Sequence, residues 1–397
     1  MKTLFKLLFL VFVVTSCSKD IDEVIEFNPL PTVFRDYNDN SYNLRQTPLW
    51  IDHYSIPEQN NNSTHPDGYT KGYDVGGAIA DFNNDGYYDI LFAPVGSDEV
   101  ETRIPIEIYL NEGDNETFTI APTSLISNNI GLITARKTII GDFNGDGKPD
   151  VFFADHGIHT GWPGGIPGLL LSNNDGYNFE LTDLPRGFYH TTTSGDIDND
   201  GDLDIYIPAL ENSNSVMSYS FLINDGLGNF VIRNDIDNRD FVSVTSELYD
   251  INNDGFLDLI IGTGSTRIFY GDGVSFLSKP YIELNEEVGT WEVYDFGFYD
   301  LDEDGYDDII VSFANWQTNE FKIRIFKQNS DNSFIEKTSD WIENNSGQGH
   351  SLVWIRVQDI DNNGFVDIIE NDKGGSNPIG NTPERWEWNG AKFKKIN

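Results

Sequence analysis

The chain has 397 residues, and 65 Asp and Glu against 25 Lys and Arg give a formal net charge of −40. That charge excludes nucleic acid as a partner, since phosphate binding needs clustered Lys and Arg, and it disfavours basic docking on an anionic membrane. The single cysteine excludes a disulfide framework and a four-cysteine zinc site. Aromatic residues at 13% supply enough apolar surface to argue against disorder. With only two Met and six His, hard cations are the metals to expect, and the placement of the carboxylates becomes the question.

The N-terminus reads as an address. Lys2 and Lys6 form a basic start, and residues 7–14 are wholly apolar, too short a run to span a bilayer as a mature helix. The string Val14-Thr15-Ser16-Cys17 resembles a bacterial lipoprotein signal, with Val14 where Leu is common. The resemblance implies removal of residues 1–16 and lipidation of Cys17; an ordinary secretory signal with an incidental Cys is the alternative. Residues 17–28 form an acidic tether, similar to the tags of some Bacteroidota surface lipoproteins. The expected location is extracytoplasmic, on the outer membrane, either surface-exposed or periplasmic. No other segment reaches 18 consecutive apolar residues, so membrane contact is expected through the lipid alone.

Residues 29–397 read as one repeat fold. An acidic loop followed by an apolar run begins at Asp81, Asp142, Asp196, Asp250, Asp300 and Asp359, at spacings of 50 to 61 residues. A turn rich in Asn, Asp and Gly follows each loop and ends at Phe118, Phe179, Phe230, Phe276, Phe334 or Phe393. Two landmarks in one order at one period indicate a repeat architecture. Runs such as residues 258–262, 308–312 and 150–154 fit strands buried on both faces. Residues 321–326 alternate with period two and fit a third strand, and the Gly-containing turn leads to a fourth. No helical period appears beyond the signal segment. Four-stranded units of this size predict an all-β fold, a β-propeller; an open solenoid usually has shorter repeats. Residues 72–397 hold six units. Residues 29–71 form either an atypical blade or a closing strand, with residues 36–41 at best a decayed acidic loop. Seven blades are favoured, with six as the alternative.

The six loops share one donor pattern. Positions 1, 3, 5 and 9 are Asp81, Asn83, Asp85 and Asp89 in the first loop, and Asp142, Asn144, Asp146 and Asp150 in the second. They are Asp196, Asp198, Asp200 and Asp204 in the third, and Asp250, Asn252, Asp254 and Asp258 in the fourth. In the fifth they are Asp300, Asp302, Asp304 and Asp308, and in the sixth Asp359, Asp361, Asn363 and Asp367. Position 6 is always Gly, which allows a sharp turn. A tight loop converges oxygen donors from alternate positions, and Ca²⁺ takes six to eight such ligands. Without a cation the carboxylates would repel one another. A helical calcium hand would need Glu at position 12; here a strand follows, and the Asp at position 9 closes the site. An acidic turn without metal is the bland alternative, and Mg²⁺ prefers rigid octahedra. Six structural Ca²⁺ ions are expected.

The pattern Asp-x-Asp/Asn-x-Asp/Asn-Gly-x-x-Asp with a buried strand after it resembles the FG-GAP/VCBS repeats of integrin α-chain propellers and bacterial surface proteins, across residues 72–397. The resemblance implies a propeller with Ca²⁺ in the loops between the first and second strands of each blade, held by those four positions. Asn363 at position 5 departs from it and implies a weaker sixth site. The resemblance further implies adhesion, ligand binding or, in some relatives, polysaccharide degradation, without choosing among them.

If the first strand runs into the calcium loop and the second runs back, the loops at the other end share a metal-free face. That face gathers His156, His159, Trp162, Tyr189, His190, Trp316 and His350 as candidate ligand-binding residues, suited to sugar rings. Trp291 and Trp354 read as packing between blades. His156 and His159 could form a zinc pair but lack a third ligand, and His190 and His350 are equally read as loop hydrogen-bonders. No Gly-x-Ser-x-Gly or His-Glu-x-x-His pattern is present, so no catalytic residue is assigned. Two functions stay open: a non-catalytic binding or adhesion module for a carbohydrate or surface glycoprotein, and a polysaccharide lyase or hydrolase on the same scaffold. A lyase would draw its base and cation from Arg136, Lys137, Arg186 and His190. The sparse basic content favours binding without turnover, by a monomer.

Overall fold

The computed structural model describes residues 77–93, 101–113, 117–158, 164–210, 218–233, 243–276, 278–286, 290–349, 352, 355–358, 363–370 and 384–396. The signal, Cys17, the tether and residues 29–71 lie outside them, as do His159, Trp162, His350, Trp354, Asp359 and Asp361.

The described residues form six antiparallel sheets in chain order, each with its four main strands in sequence order. The first strands are Gly77–Ala80, Ala135–Gly141, Thr193–Gly195, Thr245–Tyr249, Glu292–Tyr299 and Ile355–Gln358. The second strands are Asp89–Phe92, Asp150–Asp155, Asp204–Ala209, Asp258–Gly262, Asp308–Asn315 and Asp367–Glu370. Each second strand therefore begins at the position-9 Asp. The second strands of the second to fifth sheets are buried along their whole length, as continuous apolar runs require. The third strand of the fifth sheet, Glu320–Gln328, alternates buried and half-buried residues over most of its length. Fourth strands lie on the outer side of the sheets, and Val231–Arg233 is exposed throughout.

Two sheets carry additions. Ile126–Ser127 pairs in parallel with Gly176–Leu181, the fourth strand of the second sheet. In the fifth sheet the outer edge is divided between Phe334–Glu336 and Ser346–Gln348, both paired to Glu320–Gln328. A single turn of helix, Thr338–Trp341, joins them, where the sequence has no helical period.

The first strands pack against one another in succession from the first sheet to the sixth. The apolar cores lie between neighbouring sheets. Ile140 and Val151 of the second sheet join Ala80 and Leu91 of the first, and Ile251 and Ile260 of the fourth join Phe296 and Val311 of the fifth. The landmark Phe residues serve these interfaces: Phe230 meets Phe143 of the preceding sheet edge-on at 5.9 Å. Close approach also requires Gly141, where a Cβ would sit 2.7 Å from Leu203. Sheets radiating from a shared line of first strands, with cores between them, fit a β-propeller.

Two first strands contain a bulge. The pairing of Ala135–Gly141 skips Arg136, and that of Glu292–Tyr299 skips Tyr294. Each is an extra residue that the partner strand does not match.

Candidate metal centres

Each acidic loop joins a first strand to a second. Position 4 adopts left-handed backbone in the five loops where it is described: Asn84, Gly145, Asn199, Asn253 and Glu303 have φ of 56–71°. The position-6 glycines have φ of 82–102°. A Cβ at Gly86 or Gly305 would meet nothing within 4 Å, so backbone angle rather than crowding demands glycine.

This winding brings the carboxylates together. In the first loop, Asp81 accepts the Asp85 and Gly86 backbone N–H groups at 3.0 and 2.8 Å. The Asp85 Oδ1 accepts Tyr87 N–H at 2.9 Å. The same bonds recur at Asp142, Asp196, Asp250 and Asp300. The position-9 Asp is fully buried in all six loops. Asp89 accepts Phe82 N–H from position 2 and Asn111 N–H from the end of the third strand, at 2.8 and 2.9 Å. Asp150, Asp204, Asp258 and Asp308 do likewise. One N–H on a carboxylate oxygen leaves a second lone pair for a cation. The next sheet secures the loops: Asn224 donates to Phe143 O at 2.7 Å and Gln328 to Ile251 O at 2.9 Å.

Burial, with neighbouring carboxylates adding, pushes Asp89 and Asp204 up to about 7 and Asp258 up to about 8. Burial also raises Asp150 and Asp308 to about 7. Asp202, an additional acid in the third loop, is raised to about 6 by burial and by Asp200, Asp198 and Asp196.

The donor atoms fit a hard cation. Asp196, Asp198 and Asp204 offer carboxylate oxygens within 4.8 Å of one another, as do Asp300, Asp302 and Asp304. Asn83 and Asn144 use their side-chain oxygens to accept the position-5 N–H. Among the described residues, the equivalent Asn252 Oδ1 is buried without a hydrogen-bond partner, an acceptor that suits an all-oxygen cation site. Some loops also carry an internal cation that sequence reading missed. Lys327 lies 2.5 Å from Asp302 and 2.6 Å from Asp304, Lys279 3.0 Å from Asp254, and Arg385 3.0 Å from Asp367. A basic residue at or near the end of the third strand was the available signal for Lys327.

The model of the FG-GAP-like repeat matches residues 81–153, 142–207, 250–311 and 300–369, so all six loops fall inside matched segments. The chain belongs to the FG-GAP-like repeat family. No curated protein matches it. Among solved structures, it is similar to the V. cholerae biofilm matrix protein Bap1, at 16% identity and TM-score 0.39 over 72% of this chain and 42% of that one. It is also similar to CoXyl43, a GH43 β-xylosidase/α-arabinofuranosidase from a compost microbial metagenome, solved calcium-free with xylotriose. That match has 11% identity and TM-score 0.38 over 66% of this chain and 94% of that one.

At the other end of the FG-GAP repeats, the described candidates separate. Trp316 is 44% exposed and His190 is half-buried. Tyr189 is 2% exposed, packs in a core cluster and donates to Pro185 O at 2.6 Å, so its ring is not presented to a ligand. His156 is also buried, packed against Phe188 and His190 with ring centroids 4.9 and 4.6 Å away. Among the candidate lyase residues, Lys137 is buried in an ion pair with Glu247 at 2.6 Å. Arg186 pairs with Glu101, also at 2.6 Å. Trp291 is partly buried beneath Lys322, whose ammonium lies 4.1 Å from the ring centroid. Among the described residues, no helix is long and apolar enough to cross a membrane.

Proposed function

We propose that this FG-GAP repeat chain is a calcium-stabilised, lipid-anchored extracytoplasmic β-propeller that binds a glycan or surface glycoprotein without turnover. Six loops hold structural Ca²⁺, residues 29–71 complete a seventh blade, and Cys17 carries the lipid. The observation that carries the reading is the shared loop geometry: five described loops hold the carboxylates of positions 1 and 9 on the same backbone bonds. Such clusters are unfavourable until a cation neutralises them. A ring made rigid in this way is pre-organised for ligand capture. The engagement of Lys137 and Arg186 with carboxylates supports binding over lyase chemistry.

The test is a thermal melt of the mature protein in excess chelator. The melting temperature should fall by many degrees, returning with Ca²⁺ and poorly with Mg²⁺. An unchanged melt sinks the structural-calcium reading. A polysaccharide panel assayed for new reducing ends or unsaturated products tests the class: product formation makes it an enzyme. Cys17→Ala should release the protein from the membrane fraction.

A further inference from the structure

The two bulged residues occupy the same place in their repeats. Arg136 stands six residues before Asp142, and Tyr294 six before Asp300. His190 holds that place before Asp196. First strands run toward the acidic loops, so these positions lie at the opposite end, where Trp316 follows the second strand of the fifth sheet. A bulge re-aims its extra side chain and is enriched beside binding sites.

Around Tyr294 the groups are held in place. Its hydroxyl donates to Glu292 Oε2 at 2.6 Å and accepts the Trp316 Nε1–H. The two rings meet edge-on at 5.5 Å. The turn that carries Trp316 is fixed by Asn315, whose Oδ1 accepts the backbone N–H groups of Gln317 and Thr318 and the Thr290 hydroxyl. Trp316 is the only exposed tryptophan among the described residues. Most other described exposed apolar residues sit elsewhere, on outer strands (Val231, Ile335), in hairpins (Leu227, Val274) or in acidic loops (Tyr87, Phe365). Among the described residues, no contiguous apolar patch of the kind a protein partner needs surrounds Trp316.

We propose that Glu292, Tyr294 and Trp316 form a subsite for one neutral pyranose unit of a glycan. This rests on the glycan-binding reading above and names its site. The apolar face of the sugar stacks on Trp316, and its hydroxyls donate to the Glu292 carboxylate. Glu292 with the acidic surface disfavours a uronate. Glu292 does not need to move a proton.

The test is calorimetry of the full mature protein in excess Ca²⁺ with gluco-, manno- and xylo-oligosaccharides, and with an oligogalacturonate as the acidic probe. Trp316→Ala should weaken binding of a neutral oligosaccharide about tenfold, and Tyr294→Phe about threefold to tenfold, through loss of stacking and positioning. The chelator-sensitive melt of Trp316→Ala should match that of the wild type. If the wild type binds a neutral sugar and Trp316→Ala binds it equally, this subsite is wrong while the glycan reading stands. Preference for the oligogalacturonate overturns the neutral-sugar assignment. Absence of binding to every sugar overturns the subsite together with the glycan reading.

Discussion

Asp258 is wholly buried, yet its two oxygens accept backbone N–H groups of Ile251 and Gly271. Its pKa near 8, and those of Asp89, Asp150, Asp204 and Asp308 near 7, lie above the unfolded carboxylate range. The metal-free folded state therefore binds these protons more tightly than the unfolded chain. The stability they contribute is complete below about pH 4 and is lost as pH rises through the folded values. Calcium held as proposed above would compete with the same protons. The melting temperature in chelator should thus fall from about pH 5 to pH 8, while the stabilisation by Ca²⁺ grows; a gap between the two melts that narrows with pH contradicts this account. Glu303 supplies a second residue-level prediction. It alone brings a long side chain to the left-handed position 4, at φ 58°, where other described loops use Asn or Gly. Glu303→Asn should stabilise the protein by about 0.5–1 kcal/mol in denaturant titrations with excess Ca²⁺. The acidic loops were legible because residue type at fixed spacing suffices to find them. Tyr189 was not, since a tyrosine next to His190 in an aromatic loop carries no mark of which way its ring packs.

At the scale of the element, each loop works with the end of the third strand. Lys327 precedes Gln328, whose N–H caps Asp308, so strand register alone brings its ammonium to Asp302 and Asp304. That ammonium occupies the charge environment a cation needs. Lys327→Met should tighten Ca²⁺ binding at the fifth loop several-fold, in competition titrations against a chromophoric chelator; weaker binding would make Lys327 a support of the loop rather than a rival. The buried second strands were readable as continuous apolar runs, and the alternation in residues 321–326 placed the third strand of the fifth sheet. The register that delivers Lys327 to the loop was not readable, because alternation in residues 321–326 marks a strand but not which loop residues its end meets. The helix Thr338–Trp341 escaped for a related reason: one turn is too short to show a period.

Across the whole molecule, Lys137 of the second sheet reaches past the third to Glu247 and the Ser246 carbonyl of the fourth. Thr191 and Thr193 of the intervening segment complete the network, Thr193 donating to Glu247 and Thr191 bonding Ser246. Removing one partner leaves a buried charge uncompensated. Lys137→Met should therefore cost about 3–5 kcal/mol, and adding Glu247→Leu should recover much of it; equal losses in the single and double variants contradict the pairing. Repeat order was evident from local landmarks, whereas a contact 110 residues apart in sequence leaves no local trace. The acidic loops show the opposite economy. Each draws its carboxylates from one nine-residue stretch, steadied by a strand of its own sheet. A duplicated gene segment of this kind arrives with its carboxylates already together, and a side chain of the next sheet need only cap the loop's backbone. Lineages can then lengthen such a protein copy by copy, and a single copy can depart from the pattern, as the sixth does with Asn363 and Arg385, without silencing its siblings.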